Sequence, residues 1–537
     1  MVPGEVAALT TRDGRGGCTR IADNVDSELE YTLDEALAVV GFGKFQVLVL
    51  TYAGLGSMVE AMEVMILSFI GPTVKSEWGL SSGQESLITT VVFAGMLIGA
   101  YSWGLISDNY GRRIGLLSVA AVTSIFALLS AFAPNYISLV VFRMLAGIGL
   151  GGGPVYSAWF LEFVPVENRG IWMVVFSTFW TIGTILEASL AWIVMPRLGW
   201  RWLLALSSVP CFVAFLFYFL TIESPRYLYM NGRINEAYNV LKKMAEINQT
   251  ELPSGMLVSD KVTELNEEFT HSEETHSLSA GINKIAISKP GFSSLLMLLS
   301  PRLIKTTLLL WTIYFGNSFS YYGVVLLTSE FSSGENKCSS AIPNSHKLKG
   351  SSLYKDVFIS SFAELPGLLL SAITVDIVGR KISMALMYLF GFMFLLPLMF
   401  NLYKIWTTTL LFGARMFFIG TFTVAGVYCP EIYPTPVRTT GVGVASSVGR
   451  IAGMICPLVA VDLMSGCHQM AAIILFEVVI ILTGISVLLL PFETKGRGLT
   501  DIIAGKTPSS SIDEMTRPPL ALPLSNLPFL PMLCSTD

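Results

Sequence analysis

The sequence is poor in charge. Lys, Arg, Asp and Glu make up 14% of its 537 residues, whereas 53% are hydrophobic. A soluble globular protein carries about 25% charged residues, so this composition indicates a chain with many membrane-spanning segments. The net charge of −5, without any basic tract, argues against nucleic-acid binding.

Residues that carry metal and enzyme chemistry are also scarce. The four histidines lie in predicted loops: His271, His276, His346 and His468. Seven cysteines are scattered without metal-ligand spacing, and the glycine-rich run 147–153 follows no strand and lacks a Lys-Ser/Thr ending. We therefore expect no enzyme, no metal and no cofactor. Cys338 and Cys467 fall in predicted outer loops, and whether they are bridged stays open.

The first 44 residues contain no long apolar core, so they do not form a cleaved signal peptide. Thr32 and Glu35 have capping-box spacing, which predicts a short amphipathic helix that ends at Gly41. We expect this helix to lie against the membrane surface.

Twelve apolar segments follow, each near the roughly 20 residues that a spanning helix needs. They are placed at 45–70, 85–106, 114–133, 137–161, 171–196, 202–222, 303–328, 355–375, 382–402, 406–429, 441–463 and 470–491. An even number puts both termini on one side. Short loops on that side carry Arg112, Arg113, Arg169, Arg380, Lys381 and Arg438. The positive-inside rule makes that side the cytosol.

A repeat divides the chain into two halves. The stretch 104–113 reads GLISDNYGRR, and its Asp108, Gly111 and Arg112 recur as Asp376, Gly379 and Arg380. Nearly the same offset relates Arg143 to Arg415, Glu162 to Glu431, Arg169 to Arg438 (438 − 169 = 269) and Glu223 to Glu493. The repeat predicts an all-α membrane protein with two pseudo-symmetric six-helix bundles. The expected divisions are a cytosolic segment 1–44, bundles 45–222 and 303–491, a cytosolic linker 223–302, and a mostly disordered tail 492–537.

These motifs resemble the major facilitator superfamily. Three further signatures resemble its branch of sugar porters, organic cation transporters and synaptic-vesicle-2-related proteins: Glu223-Ser-Pro-Arg226, the stretch 430–438 (PEIYPTPVR) and the stretch 491–497 (PFETKGR). Within that branch the chain looks most like plant organic cation/carnitine transporters of the nicotinate-transporting type. The resemblance implies transport of nicotinate or trigonelline. It also implies that Asp108 caps the helix beginning at Gly441 across the interface of the halves, where Gly104 lets the backbones approach.

The resemblance further implies a cytosolic charge network that gates the halves rather than touching substrate. Its members are Asp108, Arg112, Arg143, Glu162, Arg169, Asp376, Arg380, Arg415, Glu431 and Arg438. A simpler interpretation of the loop arginines is that they only set topology. Arg143 and Arg415 lie inside spans, where an unpaired charge costs about 2.5–3.5 kcal/mol, so we expect them to pair with acids or carbonyls.

Acids within the spans are the candidates for proton coupling. Glu60 and Glu63 lie three residues apart on one helix and so share a face, and Glu364 lies in the eighth segment. Neighbouring carboxylates in a low dielectric readily hold a proton. Because no histidine lies in a span, a carboxylate must carry any coupled proton. The alternatives are a paired structural acid or a contact to a cationic substrate.

Five polar or aromatic residues are candidates for substrate binding. Arg450 lies near the midplane and suits a carboxylate, or else an ion pair with a nearby acid. Trp180, Tyr321 and Tyr322 offer rings for stacking or for cation–π contact worth about 0.5–2 kcal/mol, although aromatics in spans more often serve packing. Asn317 makes the segment of the Tyr pair polar.

The sequence therefore predicts a secondary active carrier of a small organic ion with proton symport, and the resemblance implies that its substrates are nicotinate and trigonelline. We expect a monomer in the bilayer of the plasma membrane. Two alternatives stay open: an organic cation or carnitine transporter, and a non-transporting membrane protein of the vesicle-2-related kind.

Overall fold

A computed structural model describes residues 30–165, 169–257, 297–301, 303–333, 349–400, 402–433, 435–465 and 468–495. Cys338, Cys467, most of the linker and the tail beyond residue 495 lie outside these ranges. The described chain is helical apart from one short parallel strand pair, in which Glu30–Tyr31 lies beside Met256–Leu257.

The N-terminal half contains six spans. The first is bent at Ile66 into Lys44–Met65 and Leu67–Trp78. The second is Ser82–Tyr110, the third Arg112–Ala131, the fifth Arg169–Leu198 and the sixth Trp200–Tyr218. The fourth is broken by the glycine run into Tyr136–Leu150 and Gly153–Leu161. The predicted end of the first span near residue 70 was therefore eight residues too early.

The C-terminal half repeats this plan. The seventh span is Ile304–Ser333, and the eighth combines Lys349–Ser361 with Glu364–Ile377. The ninth is Arg380–Leu395 and continues as the 3₁₀ turn Leu396–Met399. The tenth is Lys404–Ile432, the eleventh Thr435–Ser465 and the twelfth Gln469–Leu488.

Eleven spans of the described chain are long and apolar enough to cross a membrane, the seventh being the exception. The seventh has the length, but its middle contains Asn317, Ser318 and Ser320, all buried. Polar side chains are expensive in lipid and must face protein or a water-filled space. The seventh span therefore belongs at the centre of the molecule rather than at its lipid surface.

The eleventh helix begins at Thr435, six residues before the predicted start at Gly441. Pro436 occupies its second position, where proline is tolerated because the amide hydrogens of a first helical turn have no partner within the helix. Gly441 therefore lies in the helix interior and offers no free helix terminus.

Three short helices cover one end of the N-terminal half: Leu33–Val40, Pro225–Met230 and Ile234–Asn248. The capping box of the first is confirmed, because Thr32 N donates to Glu35 Oε2 and Glu35 N donates to Thr32 Oγ1. Ala36 and Leu37 are buried in one apolar cluster with Leu241 of the third helix. The expectation that this helix lies against the membrane surface was wrong, since protein covers its apolar face.

We call the end of the spans at which these short helices lie the linker side, and the other end the far side. The linker side also holds the first residues of the described chain and the turns after the second and eighth spans. Asn248 fastens the third short helix to the first span there. Its Oδ1 accepts from Phe45 N at 2.9 Å, and its Nδ2 donates to Gln46 Oε1 at 2.7 Å.

Candidate functional site at the interface of the two halves

An arginine–glutamate pair joins the two halves at mid-span. Arg450 Nη2 of the eleventh span lies 3.0 Å from Glu60 Oε1 of the first, and the two side chains are only 14% and 7% exposed. Arg450 lies about 22 Å along its helix at 1.5 Å per residue, close to the middle of the 31-residue helix. The structure thus brings the predicted carboxylate-binding residue onto one of the predicted coupling acids.

Small and aromatic residues shape the space around this pair. A Cβ on Gly153 would lie 2.5 Å from Glu60 Oε2, so the glycine at this position leaves room for the carboxylate. Arg450 Nη1 also reaches Met96 Sδ at 3.6 Å. The ring of Tyr322 meets that of Phe93 edge-on, with centroids 4.7 Å apart. A Cβ on Gly453, three residues after Arg450, would lie 2.5 Å from Phe93 Cδ1, so this pair of rings packs on the eleventh span near Arg450.

A second network crosses the interface through Glu364. Its Oε1 accepts from Arg415 Nη2 at 2.7 Å and from the Tyr321 hydroxyl at 2.7 Å. Its Oε2 accepts from Thr184 Oγ1 of the opposite half at 3.1 Å. Trp180 Nε1 then donates to the Tyr321 hydroxyl at 3.0 Å. Trp180, Tyr321 and Glu364, which were predicted separately, form one chain of hydrogen bonds.

A third buried pair belongs to the N-terminal half alone. Arg143 Nη1 and Nη2 both contact Glu63 Oε2, at 2.8 and 2.7 Å, and neither side chain is more than 1% exposed. Arg143 and Arg415 therefore both pair with acids, as expected. They occupy equivalent positions in the two halves, but their acids come from non-equivalent helices, the first and the eighth. Glu187 lies close to this pair and has a neutral partner, the Ser207 hydroxyl at 2.8 Å.

Asn317 does not join the interface group. It is 1% exposed, and its Oδ1 accepts from the Tyr388 hydroxyl of the ninth span. Its polar amide is therefore used within the C-terminal half.

The linker-side charges form one cluster within each half. In the N-terminal half, Arg112 contacts Glu162 at 2.9 Å and also pairs with Asp108. In the C-terminal half, Arg380 contacts Glu431 at 3.1 Å. Burial raises the pKa of Glu162, although the neighbouring Arg112 acts in the opposite direction. These contacts hold helices of one half together, whereas the expected network spanned both.

Asp108 does not cap a helix of the other half in this conformation. Its side chain is 65% exposed and pairs with Arg112 one turn away. A Cβ on Gly104 would meet nothing within 4 Å, and the same holds for Gly443 of the eleventh span. Close approach of the two helices at Gly104 is thus absent here.

Contacts between the halves lie at mid-span and on the far side. Thr90 Oγ1 donates to Met454 O at 3.1 Å, and the rings of Trp192 and Phe358 lie 5.2 Å apart. By helical spacing Gly104 continues the face of Thr90 toward the linker side, yet open space surrounds it. The second and eleventh spans therefore diverge toward the linker side, which leaves the interface open at that end.

Two other acids cap helices, each within its own half rather than across the interface as was expected of Asp108. Glu223 Oε1 accepts from Arg112 N at 2.8 Å, at the start of the third span. Glu493 accepts from Arg380 N at 2.7 Å and from Lys381 N at 2.9 Å, at the start of the ninth. A carboxylate at a helix N-terminus is favoured by the free amides and the helix dipole.

The sequence held the signal for this capping role. Glu223 and Glu493 are equivalent under the repeat, and each is matched by a glycine, Gly111 or Gly379, before the capped helix. Those glycines have φ of 111° and 101°, and a Cβ on Gly111 would lie 2.4 Å from Glu223 Oε2. Glycine is needed at both positions for conformation and for space.

The structure describes the side chains of only some of the remaining predicted network residues. Arg169 Nε donates to Val164 O at 3.1 Å, and its Nη2 lies 4.0 Å from Asp34. The side chains of Asp376 and Arg438 lie outside the described residues. Their predicted gating roles stay predictions.

Comparison with known proteins gives a consistent picture. A family model described as "Sugar (and other) transporter" matches residues 53–504. The chain is 58% identical over 500 residues to organic cation/carnitine transporter 7 of Arabidopsis thaliana, covering 90% of this chain and 99% of that protein. It is 37% identical over 505 residues to the synaptic vesicle 2-related protein of Bos taurus, covering 92% and 86%.

A similar fold is found among solved structures. The xylose transporter XylE of E. coli, in a partially occluded inward-open conformation, superimposes with a TM-score of 0.62 at 16% identity. The match covers 85% of this chain and 100% of that one.

Proposed function

Because the chain belongs to the sugar (and other) transporter family of the major facilitator superfamily, we propose that it is a secondary active transporter of nicotinate, and of trigonelline, coupled to protons. It is an integral multi-pass membrane protein with the twelve-span fold of that superfamily, and a transporter rather than an enzyme. The linker side is the cytosolic side, both termini are cytosolic, and the monomer works in the plasma membrane.

The observation that carries this proposal is the Glu60–Arg450 pair at the interface of the halves. A guanidinium is the best protein partner for a carboxylate, because its planar fork matches the two oxygens. Arg450 is occupied by Glu60 while Glu60 is ionised. Protonation of Glu60 removes that competition and frees Arg450 for the substrate carboxylate. Proton and anion then enter together, and the charge of the buried site does not change.

The aromatic residues of the site suit a flat heteroaromatic ring. Tyr322 packs on Phe93 near Arg450, and Tyr321 is held in place by Trp180 and Glu364. A pyridine ring whose carboxylate is on Arg450 stacks on Tyr322, while a methylated ring nitrogen gains cation–π energy. Nicotinate and trigonelline share the ring and the carboxylate, and trigonelline alone carries the methylated nitrogen.

Coupling acts through the same acids that join the halves. Glu60 accepts a hydrogen bond from Arg450 of the opposite half, Glu364 accepts one from Thr184 of the opposite half, and Glu63 holds Arg143 inside one half. Protonation of Glu60 or Glu364 weakens a bond across the interface. The two halves can then move between a conformation that is open to the linker side and one that is open to the far side. Glu63 is the less favoured candidate for proton coupling. Its partner Arg143 lies within its own half, so protonation of Glu63 would not weaken a bond between the halves.

The test is uptake of labelled nicotinate into proteoliposomes with an imposed proton gradient. Glu60→Gln should lose accumulation against a gradient but retain exchange of labelled for unlabelled substrate, because exchange needs no net proton movement. If Glu60→Gln, Glu63→Gln and Glu364→Gln all keep pH-dependent accumulation, the coupling assignment is wrong.

A second candidate is an organic cation or carnitine transporter. The 58% identical relative carries that name, and Glu364 lies directly beside the Tyr321 hydroxyl, where an acid and a ring together suit a cation. Competition against nicotinate uptake separates the two. Inhibition by carnitine and choline at lower concentration than by trigonelline would favour the cation function.

A further inference from the structure

Glu477 of the twelfth span differs from the other buried acids of the described chain. Glu60, Glu63 and Glu364 each contact an arginine, and Glu187 contacts a serine hydroxyl. Glu477 is 5% exposed, and neither carboxyl oxygen has a hydrogen-bond partner among the described residues.

The twelfth span, which carries this carboxyl, packs tightly on the seventh. Glu477 lies about 12 Å from the far-side end of its helix, which begins at Gln469. On the seventh span, a Cβ on Gly323 would lie 2.0 Å from Phe476 Cε1, and one on Gly316 would lie 1.8 Å from Thr483 Oγ1. The seventh and twelfth spans are therefore in close contact on the helix face that carries Phe476 and Thr483, next to the face of Glu477.

Nothing charged in the described part of the neighbouring helices compensates this carboxyl. The charged residues of the seventh span, Lys305 and Glu330, lie near its two ends. On the ninth span the Tyr388 hydroxyl donates to Asn317, and Arg380 and Lys381 lie at the linker-side end. On the eleventh span Arg450 is paired with Glu60, and the side chain of Asp462 lies outside the described residues.

An ionised carboxylate without donors in such surroundings costs several kcal/mol, and the group takes up a proton instead. We propose that Glu477 is a proton-binding site of the C-terminal half, which holds its proton in this conformation and releases it when a rearrangement of the twelfth span admits water to the carboxyl. This inference rests on the coupling part of the proposed function, but it places a proton at a position separate from Glu60.

The link to transport runs through the seventh span. Gly323, which packs on Phe476, directly follows Tyr321 and Tyr322 of the interface site. Phe476 and Glu477 are adjacent on the twelfth span, so a shift of this helix that admits water to Glu477 also disturbs the contact between Gly323 and Phe476. Such a movement also shifts the two tyrosines. Release of the proton is thereby tied to rearrangement of the site rather than to substrate binding.

A chemical probe tests the proton directly in the full-length wild-type protein. Dicyclohexylcarbodiimide is an apolar reagent that modifies protonated carboxyls within membranes. We expect mass spectrometry to find the peptide containing Glu477 labelled at acidic pH, with labelling that falls as pH rises. An unlabelled Glu477 at every pH, with other buried acids of the same sample labelled, would overturn the proposal.

The matched variants are Glu477→Gln, an isostere that keeps the neutral form, and Ser486→Ala on the same helix as a control. Glu477→Gln should bind substrate with unchanged affinity, whereas the ratio of its exchange rates at acidic and neutral pH should fall toward unity but not reach it, because protonation of Glu60 still depends on pH. Ser486→Ala should keep the wild-type ratio. A wild-type pH response in Glu477→Gln would refute the inference.

Failure of the proposed function gives a different result. If wild-type transport does not respond to pH at all, proton coupling is wrong for the protein as a whole. The labelling of Glu477 would then still decide whether this carboxyl holds a proton.

Discussion

Replacing Glu60 by Gln removes one partner of the ion pair that joins the halves. At 3.0 Å between Arg450 Nη2 and Glu60 Oε1, an effective dielectric constant of about 20 gives a Coulomb attraction of roughly 5–6 kcal/mol. Desolvation of both charges offsets much of that attraction. The larger effect of the substitution is that Arg450 is left buried without a counter-charge. This lowers the free energy of unfolding by about 3 kcal/mol.

A double-mutant cycle isolates the interaction. Thermal unfolding in detergent should show Glu60→Gln and Arg450→Gln each destabilised, while the double variant recovers most of the loss because it leaves no lone charge. We expect a coupling free energy of about 2–3 kcal/mol. Transport should not recover with stability in the double variant, since the guanidinium that binds the substrate carboxylate is gone.

The chain offers a matched control on the far side. Arg201 contacts Glu77 at 2.9 Å, but these side chains are 43% and 40% exposed. The same cycle on that pair should give less than about 1 kcal/mol, because water screens it. Equal coupling energies for the two pairs, or full stability together with proton-driven accumulation in Glu60→Gln, would refute the reasoning.

Three other substitutions test the rest of the interface. Tyr321→Phe removes the hydroxyl between Trp180 Nε1 and Glu364 Oε1, and should cost about 1–3 kcal/mol of stability in detergent melts; an unchanged melt would contradict the bond. Gly111→Ala should destabilise strongly, because it forces a φ of 111° on a residue with a Cβ that would lie 2.4 Å from Glu223; normal expression and melting would argue against the capping geometry. Gly104→Ala is the contrasting case, because the open surroundings of Gly104 predict an unchanged melting temperature. Substrate exchange should be slower, because the second and eleventh spans would approach each other at Gly104 when the linker side closes. A wild-type exchange rate would exclude that approach.

The fold could be predicted from local and periodic features. Apolar segments of spanning length must be helices, because a backbone in lipid satisfies its hydrogen bonds only within itself. The paired arginines of the turns and the recurring offset between Arg112 and Arg380 fixed the two-bundle plan. Helix ends were predicted less well. The first span continues through Pro72 to Trp78. A proline is tolerated inside a membrane helix, so its position in the sequence does not mark the helix end.

The partners of the buried charges were decided by tertiary structure alone. Arg143 and Arg415 occupy equivalent positions, yet one binds Glu63 of the first span and the other Glu364 of the eighth. Spacing along a chain says that a buried arginine needs an acid, but not which helix supplies it. Likewise only the packed bundle shows that Glu223 meets the free amides of the third span, and that Asp108, expected to cap the eleventh span, pairs with Arg112 instead. The sequence determined that these buried charges must be compensated, because an unpaired charge is costly in a low dielectric. The low dielectric does not specify which acid pairs with which arginine, so the arrangement of the helices decided the partners.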